Sequence, residues 1–364
     1  MAAMSAGRAT LSGVRFPGRY LQGPGALSRL GAEIAGFAPG APALVLVDRG
    51  VHDLISTDLT AALGDADALV LQHAGECSEA AIGEAAAAAR GKDAGVLVGI
   101  GGGKALDTAK AAAHEAGLPV VVVPTIAASD APCSALAVVY HDDGTVAYDR
   151  FLPRNPDLVL ADTALIARAP ARFLAAGIGD ALATFYEAEA CRRSGAANCL
   201  GMPGLPLAYE IARFCRDSIF DHGATALAEC DADTVGPAME RVVEANILLS
   251  GIGFESGGVA AAHAIHHGLT ELDEVHGYLH GEKVAIGVLA GLLIQGDEAE
   301  FARVRAFCAE VRLPVRLGDI GLVAATDADL LRIAERACRP GEIIHNEPMP
   351  VTPQMVVAAL ARLK

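Results

Sequence analysis

The sequence has no basic excess. Its 28 Lys and Arg face 44 Asp and Glu, a net charge of −16 over 364 residues. That argues against nucleic acid or an anionic membrane as partner. No apolar run approaches the roughly 18 residues that a membrane helix needs. The N-terminus, Met1 to Ser12, carries Arg8 but no apolar core segment, so it reads as a loose tail without a secretory signal. None of the eight cysteines forms a Cys-x-x-Cys pair. A structural zinc site built from cysteine is therefore not expected, and Cys133, Cys191, Cys199 and Cys215 read as small buried residues or free thiols of a reducing, cytoplasmic compartment. Internal repeats and low-complexity tracts are missing too. The abundant alanine is read as helix propensity and not as function.

What remains is a chain that is 52% hydrophobic and 20% charged. It is soluble and globular, and long enough for two domains with a large core. Ala43-Leu-Val-Leu-Val47, Leu69-Val-Leu-Gln72, Gly95-Val-Leu-Val-Gly-Ile100 and Pro119-Val-Val-Val-Val123 are apolar runs of strand length. Helical stretches at 26–37, 79–89 and 104–115 are interspersed with them. That alternation predicts a parallel sheet covered on both faces. A hairpin is expected from Leu136–Tyr140 and Val146–Arg150 around Asp142-Asp-Gly144, and a further strand at Leu158-Val-Leu-Ala161. Beyond about Thr163 only long helical stretches follow, for example at 180–192, 206–220 and 234–249, with a last helix at 353–364. We expect an α/β nucleotide-binding domain over 1–162 and an all-helical, metal-binding domain over 163–364.

Gly99-Ile-Gly-Gly-Gly103-Lys-Ala-Leu-Asp107 runs from a strand into a helix. Glycines let the backbone approach a ligand, and the helix N-terminus presents free N–H groups and partial positive charge to a phosphate. This is not the usual dinucleotide fingerprint, because the loop does not follow the first strand. The plausible ribose carboxylate, Asp48, lies upstream at the end of an earlier strand. A carboxylate there would accept from ribose hydroxyls and repel a 2′-phosphate, favouring NAD over NADP; it is equally an ordinary turn residue. Pro124 to Ser134 places small hydroxyl residues and Asp130 at the carboxyl edge of the next strand, where ligands bind in open α/β sheets.

Five of the eleven histidines lie between 263 and 280, in a chain without tryptophan. His263, His266 and His267 share one helical face. Together with a later histidine, that face could supply two metal ligands. Asp180 offers a carboxylate near the expected start of a helix, as a third ligand or as a helix cap. Two His and one carboxylate with an open fourth position would be the catalytic zinc pattern.

These segments resemble the metal-dependent family called iron-containing alcohol dehydrogenases, and within it the glycerol dehydrogenases. The resemblance rests on Gln22-Gly-Pro-Gly-Ala26, Gly75-Glu-Cys-Ser78, Gly101 to Lys110, Pro124 to Ser134, Gly179-Asp-Ala-Leu-Ala-Thr184, Gly253-Phe-Glu-Ser-Gly257, His263-Ala-Ile-His266 and His280-Gly-Glu-Lys-Val284. It spans nearly the whole chain. It implies a Rossmann-like N-terminal domain and an all-α C-terminal domain (a dehydroquinate synthase-like fold), with NAD in the cleft and zinc at its floor. The implied zinc ligands are Asp180, His263 and His280. The implied NAD contacts are Asp48, Gly103, Lys104, Ala105, Leu106, Asp107, Thr125, Ile126, Ala127, Ala128, Ser134, Leu136 and Tyr140. Asp130 would hydrogen-bond a substrate hydroxyl and Phe254 would line the substrate pocket.

The implied reaction is reversible oxidation of a small polyol, glycerol to dihydroxyacetone, with hydride passing to NAD⁺, in a homo-oligomer. Iron-dependent relatives carry another metal-binding His where Thr184 stands here. His267 replaces an Asn, and the segment 272–279 is one residue shorter than in relatives. The Gly-Glu-Lys that follows His280 favours it over His276 as ligand. Glycerol-1-phosphate dehydrogenase and dehydroquinate synthase-like lyases are rival readings. They need cations for a substrate phosphate, and the site segments offer little beyond Lys104 and Lys283. A non-catalytic NAD-binding protein would not need the metal set, and a helical scaffold would not need the glycine loop.

Overall fold

The computed structural model describes residues 11–141 and 144–364. Most of the expected tail and the two aspartates of the hairpin turn, Asp142 and Asp143, lie outside the described residues. The strands are β1 (Tyr20–Gly23), β2 (Ala43–Asp48), β3 (Ala68–His73), β4 (Val96–Gly101), β5 (Val120–Pro124), β6 (Leu136–Tyr140), β7 (Val146–Phe151) and β8 (Leu158–Asp162). Between them run α1 (Leu30–Phe37), α2 (Arg49–Leu63), α3 (Glu79–Gly91) and α4 (Gly103–Ala116). After β8 the described elements are all helical: α5 (Thr163–Ala167), α6 (Ala171–Ser194), α7 (Pro206–Asp231), α8 (Pro237–Glu244), a π-helical turn at Ala245–Leu249, α9 (Ser250–Gly257), α10 (Ala261–Leu269), α11 (His280–Gln295), α12 (Glu298–Glu310), α13 (Asp327–Ala337) and α14 (Pro353–Ala361). An α/β parallel-sheet unit is thus followed by a helical remainder, as the sequence pattern predicts. Among the described residues no helix is long and apolar enough to cross a membrane.

Six strands form one parallel sheet in the order β1-β8-β5-β4-β2-β3; β6 and β7 form a separate antiparallel hairpin. The apolar runs of β2, β4, β5 and β8 are continuous because both faces of these strands are covered. Val45, Val47, Val98, Ile100, Val121 and Val123 pack on the side of α1 and α2. Leu44, Leu46, Leu97, Val122 and Val159 belong to the core that continues through α3 and α4 into the helical half.

The strand order reverses direction between β2 and β4, which are hydrogen-bonded neighbours with Val47 opposite Ile100. Ligands of open α/β sheets bind at the carboxyl ends flanking such a switch point. This explains the atypical spacing in the sequence. Asp48 at the end of β2 and the glycines after β4 are far apart along the chain but adjacent across the sheet.

Two elements of the α/β half were not anticipated. Strand β1 is short and half-buried throughout, and it pairs with β8 at the sheet edge. Helix α2 is started by Asp48, whose Oδ1 accepts from Gly50 N–H at 2.7 Å. Asp48 thus caps a helix while standing at the switch point.

Candidate metal and nucleotide site

Asp180 does not begin a helix. It lies inside α6, nine residues past Ala171, so the capping role is excluded. Its side chain is 1% exposed. Oδ2 accepts from the Asp130 N–H at 3.3 Å. Oδ1 accepts no hydrogen bond, although Nε2 of His280 lies 3.2 Å away and Nε2 of His263 lies 3.5 Å away. An unpaired buried carboxylate oxygen is costly. Here it faces two imidazole nitrogens at the separation expected between ligands of one ion, since zinc bonds of about 2.0–2.1 Å put tetrahedral ligands roughly 3.3 Å apart. Among the described residues, Asp180, His263 and His280 are the group able to hold a metal, with ligand atoms all within 4.8 Å of one another. The donor set fits a divalent cation with one open position.

Outer partners fix both rings. His263 Nδ1 lies 2.5 Å from Glu187 Oε2. A carboxylate only accepts, so Nδ1 holds the proton and Nε2 presents its lone pair to the site. Glu187 Oε1 also accepts from the N–H groups of Ala260 and His263, at 2.8 and 2.9 Å, and so stands in for a cap on α10. His280 Nδ1 lies 3.2 Å from His266 Nε2, which likewise leaves the Nε2 of His280 for the site. His276 turns away to Thr270 O, and His267 pairs with Glu342 at 3.1 Å. The two histidines that the sequence left in competition or out of place are therefore accounted for elsewhere.

Charges divide between Asp180 and its neighbour Asp130. Burial alone would push Asp180 up, but His280 and His263 overcome it and hold the group well below the usual carboxylate range. Burial and the Asp180 charge push Asp130 well above it. Asp130 Oδ2 accepts from Ser250 Oγ at 2.7 Å, and Ser250 Oγ meets Thr184 Oγ1 at 2.8 Å. The π-helical turn before α9 sets this up. Its buried Asn246 donates to Ala127 O and Leu174 O, and Ser250 follows at the start of α9. Phe254, buried at 7% exposure, lies one turn beyond Ser250.

On the nucleotide side, Gly101 has a positive φ of 149°, and a Cβ there would lie 2.7 Å from the Cβ of Asp48. Helix α4 begins at Gly103 without a side-chain cap, so its first N–H groups are free for a phosphate. Lys104 in that turn pairs with Glu76 at 2.5 Å and lies 5.5 Å from the centre of the Tyr140 ring. Thr125, after β5, keeps a buried Oγ1 without a partner. Ile126 and Ala128 are only partly buried beside it, whereas Ala105, Leu106 and Ala127 are buried. Asp107 is turned inward. It accepts from Val138 N–H and pairs with Lys110 at 2.9 Å. Lys110, wholly buried, also donates to the carbonyls of Ala131, Ser134 and Leu136 and so fixes the segment that follows Asp130.

Glu187, Ser250 and the outer role of His266 were not identified from sequence. Glu187 lies seven residues after Asp180, two turns along the same helix face, and that spacing was the available signal. Replacing Glu187 with alanine should weaken metal retention by about 10- to 100-fold, read by equilibrium dialysis against a chelator. Unchanged affinity would mean that the Glu187–His263 contact does not orient the ring.

A second buried carboxyl caps the same helix. Glu347 accepts from Ala261 N–H at 3.2 Å and from Gln295 at 2.8 Å, and burial pushes it up to about 7. The folded chain then holds a proton that the unfolded chain has released. Stability should fall as pH rises from the ordinary glutamate range through about 7, by at most about 3 kcal/mol. Urea melts between pH 5 and 8 should show this slope in the native protein and a flatter one in Glu347→Gln.

Residues 17–163 match the iron-containing alcohol dehydrogenase family. The chain is 49% identical over 347 residues to a glycerol dehydrogenase of Thermotoga maritima, covering 95% of this chain and 94% of that one. It is 47% identical over 352 residues to a glycerol dehydrogenase of Pseudomonas putida, with 95% of each covered. The crystal structure of a probable glycerol dehydrogenase from Sinorhizobium meliloti superposes with a TM-score of 0.91 at 43% identity, over 97% of this chain and 98% of that one.

Proposed function

The chain belongs to the iron-containing alcohol dehydrogenase family, and on that premise we propose that it oxidises glycerol reversibly to dihydroxyacetone with NAD⁺ as hydride acceptor. The observation that carries the reading is the convergence of Asp180, His263 and His280 on one point beside Asp130. Relatives with the same activity in their names support the choice of substrate.

Asp180, His263 and His280 would hold the metal, zinc in our reading, which when bound supplies Lewis acidity to an alcohol oxygen, while the nicotinamide accepts the hydride. The residues of this chain do the positioning. Ser250 fixes the Asp130 carboxyl, whose free oxygen can take a hydrogen bond from a substrate hydroxyl. A substrate with neighbouring hydroxyls can then engage Asp130 through one while the other is oxidised, which favours polyols over simple alcohols. Phe254, one turn from Ser250, lines the apolar side. Asp48, at the switch point, favours the unphosphorylated ribose of NAD. The free N–H groups of α4 receive the phosphates, with Lys104 beside them.

The test is NADH formation from glycerol, with metal content measured before and after chelation. Glycerol-dependent NADH production that vanishes on chelation and returns with zinc is the expected result. Metal bound without glycerol turnover would overturn the substrate, and turnover untouched by chelation would overturn the role of the three ligands.

A further inference from the structure

Helix α9 turns a buried carboxyl toward the loop that carries Asp130. Glu255 is 3% exposed and lies five residues after Ser250. Its Oε1 accepts from the Ala135 N–H at 3.0 Å, and its Oε2 accepts from the side-chain amide of Asn155. Asn155 is buried as well, and the same amide nitrogen donates to Cys133 O at 2.8 Å. The Cys133 N–H in turn donates to Asp130 O at 3.0 Å. A continuous path of hydrogen bonds thus runs from α9 through Asn155 and Cys133 to the backbone of Asp130. Arg15 brings a cation to 3.7 Å from Oε1, and its backbone N–H donates to Ser256 Oγ at 3.0 Å.

Packing follows the same path. Gly251 lies one turn before Glu255 on the same face of α9. A Cβ at 251 would lie 2.5 Å from the Cβ of Cys133 and 3.4 Å from Asp130 O, so the loop is seated directly on the helix. From the other side the buried Lys110 takes the carbonyls of Ala131 and Ser134, at 2.7 and 3.2 Å, and that of Leu136. A buried anion of the helical half therefore holds an N–H of this segment, and a buried cation of the α/β half holds its carbonyls. Burying a charge is costly unless such partners satisfy it. The Glu255 carboxyl is satisfied when the loop stands in this one place.

We propose that Glu255 is a positioning residue for Asp130. It acts through Asn155 and the loop backbone and sets where the Asp130 carboxyl stands relative to Asp180, while Ser250 sets how that carboxyl is turned. This rests on the reading that Asp130 receives a hydroxyl of a polyol. It places the control of polyol specificity behind the loop, at a residue that acts on the substrate through Asp130.

The experiment compares kcat/KM for glycerol and for isopropanol, which is the same secondary alcohol without the neighbouring hydroxyls. Native protein, Glu255→Gln, Asn155→Ala and the double variant are measured, each with its metal content. Glu255→Gln keeps the volume but turns an N–H donor toward the Asn155 amide. Asn155→Ala cuts the same path from the α/β half and carries the test by itself. Each single variant should narrow the preference for glycerol at least about tenfold, the worth of a misplaced hydrogen bond to a charged group. The double variant should narrow it little further, because both changes cut one path. Metal content should stay native, since His263 and His280 are held by Glu187 and His266 instead.

An equal loss on both alcohols overturns the proposal and leaves Glu255 a structural residue. So does a glycerol preference that neither variant changes, or additive effects in the double variant. The native protein separates this failure from that of the underlying reading: if it does not favour glycerol over isopropanol, the role given to Asp130 fails, and this inference with it.

Discussion

Asp180→Ala is expected to lose bound metal and to lower glycerol turnover by at least about three orders of magnitude, the several kcal/mol that Lewis-acid polarisation contributes. The expectation follows from where the charge sits. Asp180 is the anionic member of the three-residue set, and its Oδ1 is left unpaired in front of two imidazoles. Without it the two rings keep their orientation, because Glu187 and His266 hold them from behind, but two neutral nitrogens make a weak site. Asp180→Asn separates charge from shape. It keeps an oxygen at nearly the same place and should retain the fold, with metal affinity still much reduced. The measurements are metal per chain by mass spectrometry and the initial rate of NADH formation. One metal ion per chain in Asp180→Ala would overturn the ligand assignment.

Gly281→Ala should be nearly as damaging, through packing alone. A Cβ at 281 would lie 1.7 Å from Ala176 O on α6, with no flexible side chain to move aside. The contact is mutual, since a Cβ at Gly179 would lie 2.4 Å from Gly281 O. Helices α6 and α11 therefore meet backbone to backbone, beside Asp180 and His280. A methyl group forces the helices apart, at a cost of about 3 kcal/mol or more, and moves the two ligands relative to each other. The expected result is a lowered melting temperature together with weakened metal retention. Gly83→Ala is the matched control. Gly83 is helical with nothing within 4 Å of the added Cβ, so alanine there should be neutral or stabilising by up to about 1 kcal/mol. If both variants melt like the native protein, the close approach of α6 and α11 is not tight in solution.

The same glycines show why parts of the site were hard to read from sequence. The buried strands were legible because parallel strands covered on both faces are unbroken apolar runs. The glycine loop was legible because its residues are consecutive. Around Asp180, however, Gly177 and Gly179 look like the punctuation that precedes a helix, and the helix was placed to begin at 180. In the structure they are interior positions of α6, required because Ala127 O and Gly281 O come too close for any side chain. Local propensity lost to tertiary contact. Helix α2 was overlooked for a related reason. Its sequence mixes polar and apolar residues, and Ile55, Leu59 and Ala62 alone are buried on it. Ser250 had no signal, since its orientation depends on the π-helical turn before it. The proposed metal ligands are singled out by residue type and family resemblance, but their outer partners come from positions that only the fold brings together.

The hydrogen bond from Asp130 N–H to Asp180 joins the two halves of the chain at the proposed site. Asp130 belongs to the segment that leaves the sheet beside the proposed nucleotide site, and Asp180 to the helix that would supply the carboxylate of the proposed metal set. Binding free energies at two linked sites are reciprocal. Whatever factor an ion at Asp180 adds to the affinity for dinucleotide, the dinucleotide must add to the affinity for the ion. Resistance to a chelator would therefore be a property of the cofactor supply as much as of the three proposed ligands.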